Sequence, residues 1–131
     1  MGHALKVQLP PYSNPRNSWR RLIHKAVVKA ARASQTRFSR EDRFKVSIQL
    51  HMSQRMLGFH DVDNRLKDVL DALQGRMGGK SQVGKSLIYN DSQIIAVTIS
   101  KVLVEDRSRA GGILTIIKIG ARSRWHQVKS I

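Results

Sequence analysis

Apolar and polar residues alternate most regularly in the middle of the chain. From Phe44 to Met52 every second residue is apolar and the residues between are polar, which is typical of a strand with one buried face. A shorter alternation from Leu5 to Leu9 predicts a first strand that ends at Pro10-Pro11, because proline supplies no backbone donor. Two runs rich in β-branched residues, Ile94 to Val104 and Ile113 to Ile119, predict two further strands.

Helical spacing appears between these strands. Ser13 or Asn14 is expected to cap a first helix with Pro15 in its first turn, since Ser and Asn are favoured caps and proline is tolerated at the first position. Its apolar stripe comprises Trp19, Leu22, Ile23, Ala26, Val27 and Ala30, and its basic ridge comprises Arg21, Lys25, Lys29 and Arg32. The ridge either faces a polyanion or is simply a solvated face. A second helix is expected from Asn64 to Leu73, ended by Gly75.

The order strand, helix, strand, helix, strand, strand predicts an α+β fold. We expect a mixed sheet of about four strands with two helices on one face, because parallel neighbours need a crossover connection. The last two strands can form a hairpin through Gly111-Gly112. A chain of 131 residues is most simply one domain, 1–131. That domain includes a basic loop at 75–90 and a basic tail at 121–131.

Charge points to a polyanionic partner. The chain has 24 Lys and Arg against 9 Asp and Glu, and a net charge of +15. Such a field attracts nucleic acid in a salt-dependent way. No uncharged stretch reaches the roughly 18 to 20 apolar residues that span a bilayer. The start does not read as a signal peptide, so we expect a soluble, cytoplasmic protein. The absence of cysteine excludes disulfides and thiolate zinc sites.

Acidic residues are scarce, and their clustering is therefore informative. Asp61 and Asp63 stand at the start of the second predicted helix, where either could cap backbone N–H groups. Two carboxylates about 5 Å apart repel by about 3 kcal/mol at an effective dielectric of 20, and a bound Mg²⁺ or Mn²⁺ would remove that cost. Lys67 is either the ion-pair partner of Asp63 or a cation for a phosphate. Asp91 either forms a turn or supplies a third carboxylate.

These residues resemble a known family, the RusA-like Holliday junction resolvases. The similarity rests on Asp61-Val62-Asp63-Asn64 with Lys67, on Asp71-Ala72-Leu73, and on Asn90-Asp91-Ser92-Gln93-Ile94. The early Pro10-Pro11 followed by Ser13-Asn14 is also similar, whereas His60 stands where an arginine or lysine was expected. The resemblance implies a Mg²⁺-dependent endonuclease that acts as a homodimer on four-way DNA junctions. It implies that Asp61, Asp63 and Asp91 bind the metal and that Lys67 is the essential lysine.

The remaining functional expectations concern DNA contacts and a second motif. Basic side chains expected to contact DNA are Arg16, Arg20, Arg65, Arg76, Lys80 and Lys85. Residues 79–86 fit the phosphate-binding pattern G-x-x-x-x-G-K-[ST], but a helix rather than a buried strand precedes them, so nucleotide hydrolysis is disfavoured. The alternative to a nuclease is a non-catalytic basic nucleic-acid-binding protein whose aspartates are helix caps.

Overall fold

The computed structural model describes residues 3–77 and 84–121. Its strands and helices, in chain order, are β1 (His3–Leu9), α1 (Arg16–Ala33), β2 (Asp42–Met52), α2 (Gln54–Leu57), α3 (Val62–Leu73), β3 (Ile94–Leu103) and β4 (Gly111–Ala121). Short 3-10 turns lie at Asp91–Gln93 and Arg107–Arg109. The predicted α+β class is confirmed, with the short helix α2 as an addition to the predicted order.

The sheet has four strands in the order β1-β4-β2-β3. Strands β2 and β3 are parallel, and β4 is antiparallel to both β1 and β2. The predicted hairpin of the last two strands is therefore wrong. The reason is that the β2–α3–β3 crossover places β3 at an edge, whereas β4 gains backbone partners on both sides by lying between β1 and β2. Gly112 permits this insertion, since a Cβ there would lie 2.1 Å from the Gln49 carbonyl oxygen.

The core lies on one face of this sheet. Alternate residues of β2 are buried, as the sequence predicts, and side chains of α1 and α3 pack against them. Core residues contributed by the two helices are Trp19, Ile23, Val27, Ala31, Val69, Ala72 and Leu73. The opposite face carries two polar and two apolar residues that are exposed, Lys45, Gln49, Ile113 and Ile117.

The two long helices begin and end close to where the sequence predicts. Pro15 rather than Ser13 or Asn14 occupies the cap position of α1, and it makes no side-chain cap bond. The expected cap is thus wrong by one or two residues, because a proline with an extended ψ of 168° already leads into the helix. The basic ridge of α1 is exposed along its length. Helix α3 ends before Gly75, whose φ of 77° suits glycine.

Candidate functional site

Two of the predicted carboxylates lie together at the amino end of α3. Asp61 is the helix cap, and its Oδ1 accepts a hydrogen bond from the Asp63 backbone N–H at 3.2 Å. Asp63 and Lys67 are exposed on the face of α3 that points away from the core. The capping interpretation is therefore confirmed for Asp61. Asp63 is not the cap but the acidic residue of the first turn, where its charge also complements the helix dipole.

The third predicted carboxylate lies near the other end of α3. Asp91 accepts a hydrogen bond from the Gln74 side-chain amide, and the same amide also donates to the Leu70 carbonyl at 3.4 Å. The rise from Asp63 to Leu70 is about 10 Å at 1.5 Å per residue, so Asp91 and Asp63 are too far apart to ligate one ion. Within residues 3–77 and 84–121, no group of three or more His, Asp or Glu side chains is placed to hold a metal.

Hydrogen bonds of the segment around Asp91 join the start of β3 to the start of β2. Asn90 caps the 3-10 turn by accepting from the Ser92 N–H at 2.9 Å. The buried Gln93 amide donates to the carbonyl oxygens of Ser39 and Asp42 at 2.9 and 3.0 Å. Its Oε1 accepts from the backbone N–H of both residues that precede Asp91, Tyr89 and Asn90. Gln93 thereby fastens the entrance of β3 to the start of β2.

Replacing Gln93 by leucine is expected to destabilise the protein markedly. Gln93 is only 3% exposed, and the substitution would leave backbone donors and acceptors without partners, each at a cost of about 1 to 3 kcal/mol. Urea unfolding followed by circular dichroism measures the loss, with the exposed Ser92→Ala as control. An unchanged unfolding midpoint would show that Gln93 does not hold the two strands together.

A buried charge cluster joins α1 to α3. Asp68 has a fully buried side chain, and its carboxylate lies 2.9 Å from Arg16, 3.0 Å from Arg20 and 3.2 Å from Arg65. Arg20 also pairs with Asp71 at 3.1 Å. The structure thus places Arg20 and Arg65 in the interior, in contrast to their expected role at the DNA surface, because their guanidinium groups are committed to Asp68. Arg16 is partly exposed while bound to the same carboxylate.

The other expected DNA contacts lie elsewhere. Arg76 and Lys85 are exposed. Lys80 and the basic tail from residue 122 onward lie outside the described residues, as do positions 78–83 of the basic loop. In the described end of the phosphate-binding pattern, the Ser86 hydroxyl donates to the Gln74 carbonyl at 2.8 Å. Helix α3 precedes this segment and a 3-10 turn follows it, so the strand-loop-helix arrangement of a nucleotide site does not occur around the described residues.

His60 is drawn into the wall of the site rather than left on the surface. Its Nδ1 accepts from the Arg65 guanidinium at 3.0 Å, which assigns the proton of the neutral ring to Nε2. Burial, together with the positive charges of Arg65 and Lys101, lowers the pKa of His60 below its usual 6.5. The imidazole is therefore neutral at pH 7, and its ring packs 4.5 Å from that of Tyr12.

A cavity of about 660 Å³ opens beside Asp61. Aromatic and methionine side chains form much of its wall, and amide and charged groups complete it. Its lining includes Tyr12, Asn14, Arg55, Met56, Phe59 and Asn64. The sequence predictions did not include this cavity. Its one available signal was Phe59, an apolar residue that belongs to no periodic run and stands two positions before Asp61.

Comparisons with known proteins add no family. No protein-family model matches the chain, and no curated protein matches it significantly. The resemblance to RusA-like resolvases therefore rests on the motif residues alone. Among the described helices, none is both long and apolar enough to cross a membrane.

Proposed function

We propose that this protein is a metal-dependent, structure-selective endodeoxyribonuclease that resolves four-way DNA junctions. The observation that carries the proposal is the placement of Asp61, Asp63 and Lys67 at the exposed amino end of α3, within a chain of net charge +15. In so basic a protein, adjacent surface carboxylates are poor ligands for DNA unless a cation lies between them and a phosphate. The motif similarity to RusA-like resolvases supports four-way junctions as the substrate.

The carboxylates present suit Mg²⁺ or Mn²⁺ in one of its usual binding modes. Mg²⁺ is commonly held by one or two carboxylates, with water and substrate phosphates completing the shell. Asp61 retains the carboxylate oxygen that does not accept from Asp63 N–H, and Asp63 is exposed. When bound, the ion supplies an activated water and polarises the scissile phosphate. Asp91 would join this site only through a second chain or a rearrangement of the segment that Gln74 now holds.

We propose that Lys67 acts on the phosphate directly. It follows Asp63 by one helical turn, so both side chains extend from the same exposed face of α3. Its ammonium group can neutralise charge that develops on the phosphate oxygens during hydrolysis. Asp68 is buried, unlike Asp63 and Lys67, and its ion pairs with Arg16 and Arg20 position α3 against α1. The face that carries Asp63 and Lys67 is therefore held by interactions that do not involve the reacting groups.

The basic ridge of α1 supplies a surface for the DNA backbone. Arg21, Lys25, Lys29 and Arg32 are all exposed, and none of them takes part in the Asp68 cluster. We propose that they contact phosphates outside the reactive site. The resemblance also implies a homodimer, and two-fold symmetry would place two identical sites on two symmetry-related strands of a junction.

Junction affinity is expected to fall steeply with salt. If about 6 to 10 phosphates are contacted, affinity should drop by about 10³ to 10⁵ between 50 and 200 mM salt. Replacing Lys25 by alanine should reduce the slope of log affinity against log salt by about 1. Fluorescence anisotropy in EDTA measures both effects, with Lys6→Ala on the opposite face of the sheet as control. If the Lys25 variant shows the wild-type slope of log affinity against log salt, the basic ridge does not contact DNA.

One set of observations favours the non-catalytic alternative, because Asp61 does cap α3 and Asp91 does bond to Gln74.

A cleavage assay distinguishes the nuclease from the non-catalytic binding protein. A synthetic four-way junction and a linear duplex of matched sequence are incubated with the protein, with and without Mg²⁺. Paired nicks in the junction that require Mg²⁺ support the nuclease. Tight junction binding without cleavage in either Mg²⁺ or Mn²⁺ supports the basic binding protein.

A further inference from the structure

Phe59 is exposed in an unusual setting. Its side chain is 71% accessible, the highest exposure among the large apolar residues of the described chain. The short segment that presents it is nevertheless fixed, because Lys101 donates to the carbonyl oxygens of Leu57 at 2.6 Å and of His60 at 2.9 Å. The Phe59 N–H also bonds to the Met56 carbonyl at 3.1 Å. Phe59 is thus a solvent-exposed aromatic side chain on a backbone segment that hydrogen bonds fix on both sides. Such a side chain is available to contact a ligand.

This ring forms part of the wall of the cavity beside Asp61. The volume of about 660 Å³ lies within the range of small-ligand sites. Another part of the lining is held by defined contacts. The Arg65 guanidinium lies 4.2 Å from the Tyr12 ring centre, and the Trp19 indole N–H donates to the Pro10 carbonyl at 3.0 Å. Asn14 and Asn64 place amide groups at the wall, and amides can pair with the edge of a nucleobase.

We infer that the cavity accepts one nucleobase unstacked from the DNA strand beside the cleaved phosphate, with Phe59 as its stacking surface. This inference rests on the proposed function, because the nearness of Asp61 makes the neighbouring nucleotide the natural occupant. Arg55 at the cavity wall adds positive charge for the flanking backbone. Bases at a junction branch point are easier to unstack than bases in a duplex. The cavity would therefore favour branched over linear DNA.

A binding cycle in EDTA tests the inference without any cleavage. Aromatic stacking on a base contributes about 1 to 3 kcal/mol, which corresponds to a loss of roughly 5- to 150-fold in junction affinity for Phe59→Ala. The same variant is measured on junctions that carry one abasic site, placed in turn at each of three positions on either side of the branch point. At one of those positions the effect of Phe59→Ala is expected to shrink below about twofold.

The controls separate this inference from the nuclease assignment. Phe59→Tyr is expected to keep wild-type affinity. Leu22→Ala changes a 44% exposed apolar position outside the cavity, and it should bind intact and abasic junctions with wild-type affinity. An equal loss on intact and on every abasic junction, or no loss at all for Phe59→Ala, overturns the base-binding role. Binding is measured in EDTA, so the result does not depend on cleavage. If the protein proves unable to cleave junctions, only the proposed nuclease activity is contradicted.

Discussion

Asp63→Asn should abolish Mg²⁺-dependent cleavage of a four-way junction and leave junction binding unchanged. The substitution removes the proposed metal-binding charge from an exposed position. It does not touch the helix cap, since Asp61 is the side chain that accepts a cap bond. Loss of a group that stabilises the transition state lowers rates by about 10² to 10³ or more. Single-turnover cleavage at saturating protein measures the effect, and anisotropy in EDTA measures binding.

Asp61→Asn makes the same experiment decisive for the capping interpretation. Asparagine and aspartate are equally good caps, so this variant should unfold at the wild-type urea concentration whether or not Asp61 binds a metal. Cleavage should nevertheless fall as it does for Asp63→Asn. Asp106→Asn, a fully exposed acid in the turn before β4, is the matched control and should cleave normally. Full cleavage by both the Asp61 and the Asp63 variants would leave the non-catalytic binding protein as the remaining assignment.

Asp68→Asn should cause the largest loss of stability. The side chain is fully buried and faces three guanidinium groups, so neutralising it leaves positive charges uncompensated between α1 and α3. Breaking a buried ion pair by removing one partner costs about 3 to 5 kcal/mol. At a urea m-value of about 1 to 3 kcal/mol/M, a loss of about 3 kcal/mol lowers the midpoint by about 1 to 3 M.

Asp71→Asn provides the comparison for that measurement. Asp71 pairs only with Arg20 among the ion pairs of the described chain, and its side chain is partly exposed, so we expect a loss of about 1 kcal/mol or less. Equal losses for the two variants would mean that burial at Asp68 is not the source of the effect. A stable Asp68→Asn protein would show that the apolar contacts alone hold α1 against α3.

Local periodicity was sufficient to predict the four strands and the two long helices, but neither the short helix α2 nor the order of the strands in the sheet. The alternation from Phe44 to Met52 and the end of α3 just before Gly75 follow from side-chain spacing and backbone freedom, which the sequence contains directly. The position of β4 depends on which edge of β2 remains available for pairing after β3 has taken the other edge. That choice is made by contacts across the whole sheet. Strand order is therefore a tertiary property, and the hairpin prediction for β3 and β4 was wrong for that reason.

The candidate site divides in the same way. Asp61, Asp63 and Lys67 are close in sequence, so their common location could be predicted from a single helix. Asp91 could be placed only by knowing which end of α3 its segment meets, and the Gln74 contact fixes the distant end. Burial of Arg20 and Arg65 was equally hidden, because Arg20 meets Asp68 from another helix and Arg65 lies three residues before it on α3. Neither arginine differs in sequence from one that is exposed to solvent. The positions of Asp91, Arg20 and Arg65 depend on tertiary contacts, which the spacing of residues along the chain does not reveal.

The place of β4 between β1 and β2 has a consequence for synthesis. The final described strand is also a central one, so neither of its neighbours can complete its backbone pairing until residues 111–121 have left the ribosome. Non-local pairing of this kind slows folding. A nascent chain that stops short of β4 would expose the edges of two apolar strands, which makes premature termination near residue 110 a route to aggregation rather than to a smaller soluble protein.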